Sequence, residues 1–139
     1  MPRRVIIAYA RIALGLGFLS AVADRFGVWG AAGGRNVAWG DFPHFLAYTE
    51  RVNPYLRASL VPALGWFVTA CEIVLGLALI AGVGVRVVAI LSGFLLLAFA
   101  TGMTIGTGVK TALDASVFAA SACAFLLAAA AVPTKTKNG

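Results

Sequence analysis

Residues 58–85 read ASLVPALGWFVTACEIVLGLALIAGVGV, and Glu72 is the one charge among them. Arg57 and Arg86 bracket the run. A bilayer core takes about 20 apolar residues per helix, so the run is long enough to cross one. A carboxylate at the centre of such a helix costs about 2.5–3.5 kcal/mol on insertion scales. Side chains of this kind face a bundle interior or a cavity and have a partner.

The rest of the chain is of the same character. Of its 139 residues 61% are hydrophobic and 12% charged, where a soluble domain is closer to half apolar and a quarter charged. A core this small cannot bury that excess, so the solvent is lipid. Three further runs match the first, and the four spans are placed at about 5–23, 60–81, 87–105 and 112–132. The turn 82–86 (GVGVR) and the turn 106–110 (GTGVK) are short, and short connections make antiparallel neighbours. The expected fold is all-α, a single integral membrane domain built as a four-helix up-down bundle. The tail 135–139 is expected to be disordered.

The first run also resembles a secretion signal, with Arg3 and Arg4 in front and Ala21-Val22-Ala23 as an A-x-A site. Arg11 lies within it, and a signal core is normally uncharged. A retained first transmembrane helix is therefore the reading adopted.

A long connection, about 24–57, joins the first two spans. It carries Phe26, Trp29, Trp39, Phe42, Phe45, Tyr48 and Tyr55, and aromatic rings prefer the headgroup layer. Asp41 is placed to cap a short helix with Pro43 in its first turn. Phe42, Phe45, Leu46 and Thr49 share a face of it, and Asn53-Pro54 ends it. The predicted element is an interfacial helix and lid against one face of the bundle.

The net charge of +6 is spread over segment ends and loops. No basic stripe exists for phosphates to track, which excludes nucleic acid as a partner. With four spans both termini lie on one side. The flanking cations divide evenly: Arg3, Arg4, Arg86, Lys135 and Lys137 there, Arg25, Arg35, Arg51, Arg57 and Lys110 opposite. The termini-side residues lack acidic neighbours, so both termini are placed in the cytoplasm.

Arg11 is the expected partner of Glu72. Counted from the same side of the membrane, their depths differ by about 4–5 Å at 1.5 Å per residue. The pair is either a packing and registry device or the polar heart of a pocket for a proton-carrying or anionic ligand. Thr69, Glu72 and Gly76 form a polar and small stripe with Trp66 above it. Arg25 lies at the outer end of the face that carries Arg11. Asp114 is expected near that boundary, close to Arg25, Arg57 and Lys110, as a ligand contact or as a solvated carboxylate in a first helical turn. The candidate binding residues are thus Arg11, Glu72, Trp66, Thr69, Arg25 and Asp114. Cys71 and Cys123 fall at similar depth, where a disulfide is conceivable, but small core residues are the ordinary reading. One histidine, His44, cannot make a bis-histidine haem site. No metal-ligand spacing, Walker loop, catalytic triad or dinucleotide fingerprint is present.

The chain resembles the DoxX family, whose relatives include the DoxD-like membrane subunits of thiosulfate:quinone oxidoreductase. The matching stretches are RIALG at 11–15, DRFGVWG at 24–30, EIVLG at 72–76, GVGVR at 82–86 and KTALDASVF at 110–118. Arg11, Glu72, Arg86 and Asp114 match recurrent polar positions of the family, while Asp24-Arg25 stands where many members carry a Lys. The resemblance implies four transmembrane helices in a bacterial inner membrane. It also implies a role as membrane subunit of a quinone-linked or thiol/sulfur redox system. A quinone is the cofactor so implied, with Trp66, Phe18 and Phe118 available as apolar walls. Electrons would then come from a partner redox protein; further copies of the chain are a second kind of partner left open. Two other functions stay open: a small proton-coupled exporter using Glu72, and an assembly or scaffold protein without catalysis.

Overall fold

The computed structural model describes residues 1–131. The expected tail at 135–139 and the end of the fourth run lie outside them. The described residues form helices and connecting turns, with no strand. The helices are α1 (Arg3–Arg25), α2 (Phe42–Val52), α3 (Val61–Ala81), α4 (Val85–Thr107), α5 (Val109–Asp114) and α6 (Val117–Ala130), and a 3-10 turn, Ala58–Leu60, leads into α3. Three of these units, Arg3–Arg25, Ala58–Ala81 and Val85–Thr107, are long and apolar enough to cross a bilayer.

Two helix pairs dominate the packing, α1 with α3 and α4 with α6, and contacts of α3 with α4 and of α1 with α6 join them. The interior is narrow: Phe18, Leu75, Leu79, Ala89, Leu127 and Ala128 form its buried centre. Large apolar side chains such as Phe67, Val74, Leu77, Leu91 and Phe94 face outward. A helix that is apolar all round belongs in a core or in lipid, and a bundle this thin leaves lipid as the medium.

Small residues set the close approaches. A Cβ on Gly15 would stand 2.8 Å from the Gly76 carbonyl and 2.7 Å from Ile80 Cγ1, so α1 and α3 meet almost backbone to backbone. Between α4 and α6, the Ser121 hydroxyl donates to the Gly93 carbonyl at 2.8 Å.

The end of α3 is closed with unusual completeness. Gly82 adopts the left-handed conformation (φ 77°); its N–H donates to Leu79 O and that of Val83 to Ala78 O, as in a Schellman motif. Arg11 then donates from Nε to Leu79 O at 2.9 Å and from Nη2 to Ile80 O at 3.0 Å. A guanidinium at this position satisfies carbonyls that the helix leaves open and suits its negative end.

The fourth apolar run departs from a continuous helix. It is broken into α5 and α6 at Ala115-Ser116, where Ser116 takes a positive φ of 56°. The break leaves α6 as a short apolar helix.

In the long connection, α2 begins where Asp41 accepts the His44 N–H at 2.8 Å, with Pro43 in the first turn. Phe45 and Thr49 are buried, Glu50 and Arg51 exposed. The helix packs on α3 and α4 and touches α1.

Candidate functional site

The buried polar centre is built on Glu72, and its partner is Arg25. Arg25 Nη1 forms an ion pair with Glu72 Oε2, and each side chain is 2% exposed. The same Nη1 donates to Thr69 Oγ1 at 2.8 Å. Thr69 Oγ1 in turn donates to Gly65 O at 2.7 Å. Two aromatic rings of the long connection close the centre from outside. Arg25 Cζ lies 3.7 Å from the centroid of Phe45 and 5.3 Å from that of Trp39, within range of cation–π attraction.

The expected pairing of Arg11 with Glu72 is corrected here. Gly15 meets Gly76 and Ile80, and Arg11 meets Leu79 and Ile80, so α1 and α3 run antiparallel with α1 overhanging the end of α3. In this register Arg11 lies roughly 12 Å along the axis from Glu72. Side-chain direction widens the gap. Helical side chains lean toward the N-terminus of their own helix, so Arg11 and Glu72 lean apart. For Arg25 the same rule works the other way: it leans down α1 while Glu72 leans up α3, and they converge.

Asp24, beside Arg25, was not singled out as a site residue from sequence. Its carboxylate is buried and accepts three backbone N–H groups: Ala38 at 2.9 Å, Trp39 at 2.7 Å and Gly40 at 2.9 Å. It thereby folds the glycine-rich half of the connection back over the end of α1 and sets Trp39 against Arg25. Trp39 in turn packs on Phe45 and Tyr48 of α2, with centroids 5.2 and 5.7 Å apart. Adjacent residues thus divide the work: Asp24 holds backbone, Arg25 holds Glu72. The one sequence signal was the acid–base pair placed where an apolar helix ends.

The remaining candidates make no polar contact with Glu72 or Arg25. Trp66 is half-exposed and stacks on Phe42 (4.2 Å), with Phe26 close by; Phe42 packs in turn on Phe45 (5.6 Å), the ring over Arg25. Asp114 ends α5, and its ion-pair partner among the described residues is the exposed Lys110. Cys71 and Cys123 are free thiols. Among the described residues no group of His, Cys, Asp and Glu could hold a metal ion. An apolar groove of about 390 Å³ lies between α3 and α4, lined by Phe67, Cys71, Val74, Leu91 and Leu95 among others. It opens on a face of α3 other than the one that carries Thr69 and Glu72.

Outside the spans, Asp41 holds its carboxyl below the ordinary value of 3.8, chiefly through the His44 backbone N–H and then the His44 ring.

Comparison with protein-family models, curated proteins and solved structures finds no match for this chain.

Proposed function

We propose that the chain is a DoxX-like integral membrane subunit of a quinone-linked or thiol/sulfur redox assembly, and that its polar centre is a structural lock. In this reading the reaction takes place on a partner or at a contact with one. The fourth span is formed by α5 and α6 together, and the bundle sits in a bacterial inner membrane with both termini in the cytoplasm. The redox assignment rests on the resemblance of the five stretches quoted above. The lock rests on one observation: Arg25 and Glu72 are each 2% exposed and are sealed by Thr69, Phe45 and Trp39. A ligand pocket would keep polar donors and acceptors open at its wall; here Arg25 Nη1 is turned on Glu72 and Thr69, and Arg25 Nε is buried without a hydrogen-bond partner among the described residues. Commitment of Glu72 to Arg25 also counts against a cycling proton carrier.

The test is thiol- or thiosulfate-dependent quinone reduction in membranes with and without the chain, and with the double substitution Arg25→Met, Glu72→Leu. The reading expects the rate to need the chain and to survive the double substitution once that variant is folded. An unchanged rate without the chain would sink the redox assignment. A folded but inactive double variant would sink the lock.

A further inference from the structure

The two ends of the bundle differ in charge far more than flanking cations alone indicate. All five carboxylates of the chain, Asp24, Asp41, Glu50, Glu72 and Asp114, belong to the end that carries α2 and the start of α3 or to the centre that Arg25 neutralises. Arg25, Arg35, Arg51, Arg57 and Lys110 match them in number. Among the described residues the opposite end carries Arg3, Arg4, Arg11 and Arg86 and no Asp or Glu. Contacts on the page bring these together: Arg3 donates to Ala130 O at the end of α6, Arg11 caps α3, and Arg86 stands in the first turn of α4 directly after the Gly82 turn.

Arg4 and Arg86 are exposed and make no hydrogen bond or ion pair with a described residue. Arg11 donates to two backbone carbonyls. Guanidinium groups left this way, at the depth where apolar helices end, meet the phosphate layer of the bilayer. Their forked donors match phosphate oxygens, and juxtamembrane cations gain from an anionic leaflet. We infer that this end is a binding surface for anionic phospholipid headgroups, with Arg4 and Arg86 as the lipid-contacting residues and Arg11 as fixed charge behind them. The inference rests on the reading that the long helices span a bilayer.

The chain is reconstituted in vesicles of mixed phosphatidylglycerol and phosphatidylcholine, and lipid retained after detergent extraction is identified by native mass spectrometry. Retention should favour phosphatidylglycerol. The variant Arg4→Gln, Arg86→Gln should lose at least about fivefold of that preference, the equivalent of one juxtamembrane cation. Arg51→Gln, Arg57→Gln, at the balanced end, should keep it. Equal retention of both lipids by the parent chain, or equal loss in the two variants, would overturn the inference. Inorganic phosphate added to phosphatidylcholine vesicles should not raise thermal stability as phosphatidylglycerol does; equal stabilisation would assign the surface to free phosphate instead. A chain that alkaline carbonate strips from the vesicles would defeat the spanning reading itself, separately from lipid choice.

Discussion

Arg25 of α1 and Glu72 of α3 meet because each side chain leans toward the N-terminus of its own helix, and the two helices are antiparallel. The ion pair therefore spans several residues of axial offset, and Thr69 takes up a further guanidinium bond along the way. Its geometry depends on the register that Gly15 and Gly76 allow and on the turn of chain that Asp24 holds.

Asp24→Ala leaves three backbone N–H groups without their acceptor. Loss of satisfied buried donors costs about 1–3 kcal/mol. Amide exchange at Ala38, Trp39 and Gly40 should accelerate strongly, while α3 and α4 stay protected. Unchanged exchange at these three amides would show that the connection is held by something else.

Gly15→Leu would drive a side chain into Ile80 and the Gly76 carbonyl. Overpacking of this kind costs about 1–3 kcal/mol or more, and it shifts α1 along or away from α3. Thermal unfolding in lipid should show a lower midpoint. Gly17→Leu makes the matched control, because a Cβ at Gly17 meets nothing within 4 Å; equal loss in both would refute the close approach.

The cap of α2 carries a pH dependence. The Asp41 pKa is lowered from 3.8, first by the His44 backbone N–H. A group depressed on folding contributes stability above its unfolded pKa and loses it as pH falls through the folded one. The cap should thus persist down to the ordinary carboxylate range and weaken only below it. A carboxyl titration by NMR should find the Asp41 midpoint under 3.8. Asp41→Asn should keep α2 capped and remove the dependence. A midpoint at or above the ordinary value would contradict the cap.

Much of the scaffold could be read from residue patterns. Long apolar runs mark α1, α3 and α4, and Asp41, Pro43 and Asn53 bound α2 because capping is local chemistry. The partner of Glu72 could not be found by counting depth from segment ends. That count assumes level helix ends, whereas α1 overhangs α3, and it ignores the lean of the side chains. Asp24 was hidden for a different reason: its partners are backbone N–H groups at 38–40, visible only once the connection has folded. The break at Ser116 was hidden because neither Ala115 nor Ser116 announces a positive φ. Asp114 sits next to Lys110 in space for the simplest reason, one helical turn of separation.

The most direct test of the lock is a double-mutant cycle on Arg25 and Glu72, with unfolding measured in one lipid mimic. Arg25→Met and Glu72→Leu should each destabilise the bundle by about 3–5 kcal/mol, since each leaves the other charge buried and unpaired. The double variant, with neither charge, should recover most of that loss or exceed the parent in stability. Strictly additive losses, or a single Glu72→Leu variant as stable as the parent, would contradict the account.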